Sequence, residues 1–382
     1  DAYAVFRAAS AYDAADPYAR KVAAPPMASP PPAPRVAIPE AASLVFEGDG
    51  LQEHSFRQGV AALQSAGAQL TEIDLTPFQA VAELLYDGPW IAERHSVVGP
   101  LLESTPEAVD PAVRAVIAKA QSLSATDAFR GHYRLAELRR EIEGALAGLD
   151  VLCLPSIPGF CTLAEIAADP LGANARLGTY TNFVNLLGFC ALAVPLPARA
   201  DGRPASVTLV ARHGHDATLA ALALTLEAHG PRTLGATDWA VPPAPVLETR
   251  AVADEIEIAV CGAHMSGLAL NAQLTERGGR FLRQSETLPE YRLYRLPGGP
   301  PVRPGLVRTG GGAAIAVEVW ALPLSEVGGF LTEIPSPLGL ATVALADGTT
   351  PKGFLCEHWA TVEAEDVTAY GNWRAVTARL AG

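Results

Sequence analysis

The sequence has few lysines, no closely paired cysteines and no long apolar run. Only three lysines occur in 382 residues, and 28 basic against 41 acidic residues leave a net charge of −13. This acidic balance gives no electrostatic basis for binding nucleic acid. No apolar stretch approaches the roughly 18–20 residues of a membrane helix. The first residues lack a basic segment followed by an apolar one, so we expect no secretory signal, no membrane attachment and a cytoplasmic location.

The cysteines are odd in number and widely spread, and none forms a CxxC pair. They are Cys153, Cys161, Cys190, Cys261 and Cys356. This pattern is typical of free thiols in a reducing compartment, and it does not support a metal cluster. His213 and His215 have a metal-like spacing, but they precede a predicted helix on a turn, which favours a solvated helix start.

The order of predicted elements divides the chain into two regions. Hydrophobic residues make up 49% of the sequence, enough for buried cores. Over residues 1–235, strand patterns alternate with helical ones, which is typical of an α/β layer. Residues 236–250 are proline-rich and predict a linker. Residues 251–382 contain short alternating strands between Gly/Pro turns, which predict a smaller β-rich domain of the barrel type.

The run GTYTNFVNLLGFCALAVP at residues 178–195 combines polar side chains with an apolar strand. Residues 190–195 are apolar throughout, as expected for a strand covered on both faces. Thr181 and Asn182 lie in an apolar stretch and need hydrogen-bond partners. Two interpretations stay open for them: they cap a helix, or they support an active site from beneath.

This run, with the turn DGRP at 201–204 and the strand after it, resembles the C-terminal part of the amidase signature family. The resemblance implies an α/β/α sandwich with a mixed sheet and a Ser–cisSer–Lys triad, whose outer serine attacks the amide carbonyl. The sequence contains no Ser-Ser pair, and Lys21, Lys119 and Lys352 lack the context of the family's lysine. We therefore expect the catalytic half of the domain to be missing upstream, and this chain alone to be inactive in amide cleavage.

Two segments of the second region narrow the resemblance. VCGAHMSGLALN at 260–271 and PKGFLCE at 351–357 resemble the C-terminal domain of allophanate hydrolases. That family implies a γ-glutamyl cyclotransferase-like fold for this domain and hydrolysis of allophanate to ammonia and carbon dioxide in urea degradation. It also implies a homodimer and a functional link to a biotin-dependent urea carboxylase. No cofactor or metal is implied for this chain.

Candidate substrate-binding residues lie in the segment LYDGPWIAER at 85–94. Tyr86 and Arg94 are eight positions apart, about two helical turns, so they can face the same side. Allophanate carries a carboxylate, which an arginine grips with two parallel hydrogen bonds and a tyrosine hydroxyl can bind with a third. The segment resembles the family's substrate-binding helix, and we assign both residues that role.

The candidate catalytic residue of the second region is His264, which follows an apolar strand and a turn-forming glycine. A histidine there can act as acid or base near neutral pH. The resemblance links this domain to loss of carbon dioxide from the first product, N-carboxycarbamate. Glu357 is a second catalytic candidate, and Asn271 a supporting one.

Two other classes of function stay open. The chain can be a non-catalytic binding or assembly fragment, or an amidase for another small amide. Ammonia release from allophanate distinguishes these possibilities.

Overall fold

The computed structural model describes residues 1–22, 24–86, 88–229, 233–235 and 237–381, without the side chains of Tyr86 and Ala381. In the first region the strands are β1 Arg35–Pro39, β2 Gln69–Ile73, β3 Val151–Pro155, β4 Cys190–Leu196 and β5 Ala205–Ala211. The helices are α1 Ala2–Ala9, α2 Gly50–Ser65, α3 Thr76–Tyr86, α4 Trp90–Ser104, α5 Pro111–Ala118, α6 Ala125–Ala145, α7 Leu163–Ala168, α8 Pro170–Leu177, α9 Val184–Leu187 and α10 Asp216–Glu227.

In the second region, strands dominate. They are β6 Glu255–Val260, β7 Arg280–Glu286, β8 Tyr291–Leu296, β9 Arg303–Arg308, β10 Ala316–Pro323, β11 Leu338–Thr342, β12 Lys352–Cys356 and β13 Glu365–Asp366. The helices are α11 Ala272–Thr275, α12 Val327–Thr332 and α13 Trp373–Ala381. Among the described helices of both regions, none is long and apolar enough to cross a membrane.

The first region is a three-layer sandwich around a five-stranded mixed sheet. The strand order is β2-β1-β3-β5-β4, in which β1 runs parallel to β2 and β3 while β5 runs antiparallel to β3 and β4. Alternate residues of a strand face opposite layers. Val36 of β1 packs in the core with α2 and α10, whereas Ala37 packs with α3, α6 and α9. The predicted α/β/α sandwich with a mixed sheet is therefore confirmed.

The long helix α6 shows how local sequence fixes one of these layers. The Ser124 hydroxyl accepts a hydrogen bond from the Asp127 N–H, and the Asp127 carboxylate accepts one from the Ser124 N–H. This pair of bonds satisfies two backbone N–H groups at the start of the helix. Leu135, Leu138 and Ile142 recur at helical spacing and are buried on the sheet.

Strand β4 differs from the prediction of a strand covered on both faces. It lies at the edge of the sheet and pairs only with β5 among the described strands. Val194 and Leu196 are buried in the core with α2 and α10, whereas Ala191, Ala193 and Pro195 are exposed. A continuous apolar run therefore does not distinguish a covered strand from an edge strand whose outward side chains are small.

The second region is β-rich, as predicted, and its described strands form two sheets. The described strands pair in the orders β11-β12-β6-β10-β7 and β13-β8-β9. Their common core contains Trp320, whose ring meets that of Phe281 edge-on at 5.6 Å. The apolar segment at 342–345 does not form a regular strand: β11 ends at Thr342, and Leu345 forms only an isolated bridge with Thr287.

The two regions touch along the proline-rich segment that precedes β1. The Ala33 N–H donates to the Ser266 hydroxyl at 3.0 Å, and Ala28 is buried in the core of the second region. Gly267 has a φ of +72°, and a Cβ there would lie 2.7 Å from the Ala33 carbonyl oxygen. Only glycine allows this backbone conformation at so close an approach.

Candidate functional site

A pocket of about 400 Å³ lies in the second region, where β6 ends. Its walls come from residues 260–264, 299–304 and 333–335, with Leu338 and Phe354. Most of this lining is apolar, and apart from the Cys261 thiol the side chains that can carry charge or exchange protons are His264, Arg303 and Glu333. An apolar pocket with a few convergent polar groups is typical of a small-molecule site.

His264 is held in this pocket by two aromatic rings and one hydrogen bond. Its ring stacks on Phe354 with centroids 4.7 Å apart and meets Phe330 edge-on at 5.5 Å. Its Nε2 lies 2.7 Å from Oε1 of Gln273. Since an amide oxygen only accepts, Nε2 carries the proton of this bond in the assigned orientation of Gln273. The Nδ1 atom is then the titrating position of the ring.

The electrostatics of the pocket favour a neutral imidazole. Burial lowers the pKa of His264 from its usual value, and the hydrogen bond with Gln273 and the charge of Glu333 offset only part of this shift. Arg277 donates to the backbone carbonyl of Gln273 at 2.8 Å and to the carboxylate of Glu333 at 2.6 Å. It therefore fixes the backbone at Gln273 and holds the Glu333 side chain. Burial thus favours the neutral imidazole, the form that can accept a proton.

The loop after β6 is fixed from behind by buried polar groups. Asn271 is 1% exposed, and its side-chain amide donates to the His264 carbonyl at 2.9 Å. Asn271 thus positions the histidine backbone rather than lining the pocket, and the supporting role predicted for it stays a prediction.

A completely buried carboxylate, Glu318 of β10, holds the same loop. It accepts hydrogen bonds from the Ser266 N–H at 2.7 Å, from the Trp320 ring N–H at 3.2 Å and from Arg374 at 2.6 Å. Arg374 also donates to the Ser266 carbonyl at 2.6 Å. Sequence reasoning missed Glu318, although a lone charge inside the apolar strand AVEVWALP was a usable signal.

The structure does not bring Glu357 into the pocket with His264. Glu357 follows β12 and is exposed. Its backbone N–H donates to the Pro337 carbonyl at 3.0 Å, and its carboxylate accepts from the ring N–H of Trp359 at 2.5 Å. These contacts fix the backbone and the carboxylate of Glu357, which is not among the residues that line the pocket.

In the first region, Arg94 is half-buried on α4, and its side chain interacts with another residue. The Tyr86 side chain lies outside the described part of the chain, so the predicted Tyr86–Arg94 pair stays a prediction. The neighbouring His95 packs its ring over Gly99.

Thr181 and Asn182 lie in a tight turn before α9. Both of their N–H groups donate to the Gly178 carbonyl at 3.0 Å, and the Asn182 amide covers Gly178. Between them and the sheet lies Tyr180, whose hydroxyl is 2.7 Å from the Val45 nitrogen and 2.8 Å from its carbonyl oxygen. These contacts join the turn to the segment after β1, and the supporting role of Thr181 and Asn182 stays a prediction.

A second polar cluster, which sequence reasoning missed, surrounds Arg199. Its side chain is 2% exposed and binds both carboxylate oxygens of Asp49, at 2.8 and 2.9 Å, and Asp201 at 2.9 Å. Gln52 accepts from the same guanidinium at 3.2 Å. Every charge here has a partner, so the cluster ties the start of α2 to the loop between β4 and β5.

The three lysines lie on the surface. Lys21 contacts the ring of Tyr12, and Lys352 donates to Thr342 at 3.1 Å. His213 is exposed, whereas burial lowers the pKa of His215 to about 4. Within the described residues, no group of three or more His, Cys, Asp or Glu side chains is placed to hold a metal.

Two family models match the chain, one in each region. Residues 1–220 match the model described as Amidase, and residues 256–378 match the one described as Allophanate hydrolase C-terminal domain. The pocket around His264 therefore lies wholly within the second match.

Similar proteins are known from yeasts. The urea amidolyase of Saccharomyces cerevisiae is 36% identical over 355 residues, or 89% of this chain and 19% of that protein. The urea amidolyase of Lachancea kluyveri is 34% identical over 94% of this chain and 20% of its own length. The structure of Kluyveromyces lactis allophanate hydrolase aligns with a TM-score of 0.66 and 30% identity, covering 100% of this chain and 64% of that one. This chain thus spans about a fifth of the length of these two urea amidolyases.

Proposed function

We propose a function from one premise: this chain belongs to the amidase family and carries an allophanate hydrolase C-terminal domain. We infer that it serves in the hydrolysis of allophanate to ammonia and carbon dioxide during urea degradation. The observation that carries this inference is the His264 pocket, because it gives the C-terminal domain a small, mostly apolar chamber with a proton-transferring group.

The two regions would act in sequence. In the first, Tyr86 and Arg94 would hold the carboxylate of allophanate, and Thr181 and Asn182 would support the site from beneath. Amide cleavage there needs the serine pair and lysine of the family. The sequence has no Ser-Ser pair, and its three lysines are exposed. We therefore expect that the chain alone does not release ammonia.

In the second region, His264 would promote loss of carbon dioxide from N-carboxycarbamate. The C–N bond breaks, its electron pair stays on nitrogen, the nitrogen gains a proton, and carbon dioxide and carbamate leave. His264 is neutral when the pocket is empty, because burial lowers its pKa. A bound anion favours the protonated imidazole, which can then donate that proton. Glu357 stays a second candidate, although its carboxylate is bound by the Trp359 ring N–H and does not line the pocket.

We also propose the surroundings in which this reaction runs. Residues 1–235 and 251–382 would act as separate domains joined by 236–250, in a cytoplasmic homodimer. All five cysteines are free, which suits a reducing compartment. A biotin-dependent urea carboxylase would supply allophanate, and the names of the yeast relatives support that link.

Ammonia and carbon dioxide release from allophanate test the proposal. The chain as it stands is expected to be inactive, and the same chain preceded by an amidase serine–lysine segment is expected to release both products. His264→Gln in the extended protein should slow carbon dioxide release at least tenfold while the first ammonia appears at the parental rate. His358→Gln, an exposed histidine of the same region, is the control. An extended protein that is inert towards allophanate but cleaves another amide would overturn the proposal.

A further inference from the structure

We propose that Arg303 is the anion-binding and specificity-determining residue of the His264 pocket, and that the ligand it selects is a small dicarboxylate. This inference rests on the proposed function and adds what the pocket recognises. It begins from the fact that Arg303 starts β9 and lines the same pocket as His264.

The arginines of the second region differ in their partners. Seven of the nine contact a carboxylate: Arg277, Arg280, Arg283, Arg292, Arg295, Arg308 and Arg374. An eighth, Arg379, donates to the Tyr370 hydroxyl. The side chain of Arg303 alone makes no hydrogen bond or ion pair with any described residue.

The position of Arg303 makes this lack of partners informative. The side chain is half-buried in the pocket wall instead of extending freely into water. A partly desolvated guanidinium loses hydration, and it regains hydrogen bonds only when an acceptor occupies the pocket. Its planar array of donors matches a carboxylate, which it can bind through two parallel hydrogen bonds.

The other charges of the pocket leave this positive charge uncompensated. Glu333 is the one carboxylate of the lining, and Arg277 neutralises it at 2.6 Å. His264 is neutral in the empty pocket. Arg303, Arg277 and Glu333 together therefore carry one net positive charge, which favours an anion. A dicarboxylate can place one carboxylate on Arg303 and present the other to His264.

Malonate is the probe for this site. It has the size and double charge of N-carboxycarbamate, with a stable CH₂ in place of the NH. We would titrate it into the full-length chain and follow the ring resonances of His264, assigned with His264→Gln. The variants are Arg303→Met, Arg303→Lys and the matched control Arg295→Met, whose guanidinium pairs with Glu365 at 2.8 Å outside the pocket.

The expected result is saturable binding of malonate that shifts the His264 resonances. Arg303→Met should weaken it by about 10- to 100-fold, as expected for a lost charge-assisted contact. Arg303→Lys should weaken it less, and Arg295→Met should match the parent. Acetate and neutral malonamide should bind more weakly than malonate. Unchanged thermal unfolding of Arg303→Met would show that the loss is local.

Equal malonate affinity in Arg303→Met and the parent would overturn the inference, as would malonate binding that leaves His264 unmoved. Neither outcome touches the proposed function, which depends on product release from allophanate by the extended protein. Conversely, an extended protein that is inert towards allophanate would remove the proposed function, even if Arg303 still governed dicarboxylate binding.

Discussion

The two regions bury charge for different ends. In the first region, the guanidinium of Arg199 is 2% exposed and is bound by Asp49 and Asp201. These ion pairs join the start of α2 to the loop between β4 and β5. In the second, Glu318 is 0% exposed and plays the same structural role with Arg374, while Arg303 lies in a pocket wall without a described partner. The paired buried charges hold loops in place, whereas our proposal gives the half-buried Arg303 a role in binding a ligand.

The largest expected effect comes from Glu318→Ala. This change leaves Ser266 N–H, the Trp320 ring N–H and Arg374 without their buried acceptor. Breaking a buried pair on one side costs about 3–5 kcal/mol, and we expect a loss of about 3 kcal/mol because Arg374 keeps 30% exposure. Urea unfolding followed by tryptophan fluorescence measures it.

Glu290→Ala is the matched control, since its ion pair with Arg308 is exposed and should change stability by less than about 0.5 kcal/mol. A similar small loss in both variants would contradict the structural role given to Glu318.

The second expected effect is a pH dependence located in the first region. Burial lowers the pKa of His215 to about 4, against about 6.5 unfolded. The unfolded chain therefore takes up a proton first, so stability is complete above pH 6.5 and falls as the pH drops towards 4. The expected loss in the free energy of unfolding over this range is on the order of 3 kcal/mol. His215→Gln should flatten this slope in urea unfolding across that range, and the exposed His229→Gln should leave it intact.

The smallest effect expected is that of Arg199→Met, about 2 kcal/mol of destabilisation. It is smaller than that of Glu318→Ala because the Asp49 and Asp201 side chains are 20% and 30% exposed and can regain water. Burial alone would raise the pKa of Asp49, but the hydrogen bonds from Arg199 and from the Gln52 N–H, together with the charge of Arg199, outweigh burial and lower it. In the parent protein, the contribution of Asp49 to stability is lost as the pH falls from about 4 to the lowered pKa of Asp49 in the folded state. Arg199→Met should reduce this acid-induced loss of stability.

Acid titration of unfolding measures this change, with Arg57→Met as the control, because Arg57 forms an exposed pair with Glu53. If Arg199→Met proved more damaging than Glu318→Ala, the contrast between the regions would be reversed.

Much of the fold could be predicted because short-range chemistry fixes it. Strand β1 spans Arg35–Pro39, a short apolar run with proline at both sides, which is a signal that the sequence itself contains. Gly88-Pro89 is a similar signal for the break between α3 and α4, and α4 begins at Trp90. His264 could be singled out because its loop resembles a family motif; it lines the pocket, and its catalytic role stays a prediction.

The rest depends on contacts between distant residues. Strand β7 was missed because it contains charged residues, which are unusual in a buried strand. Arg280 is only 5% exposed in this strand because the carboxylate of Glu255, 25 residues earlier, binds its guanidinium at 2.5 Å. The position of Glu357 was not predictable from the end of β12, since the Pro337 carbonyl and Trp359 determine how the chain turns there. Arg303 carried no local signal, because an arginine before proline is ordinary until its lack of partners is seen.

The proline-rich segment has a consequence for how this protein can be divided. Ala28 is 3% exposed within the core of the second region, and the Met27 carbonyl accepts from the Glu248 N–H at 2.9 Å. A protein shortened to residues 251–382 would therefore leave a gap in its own core, and one shortened to 1–235 would carry the missing piece on its surface. A protease that cuts between the regions would yield two halves that still hold each other.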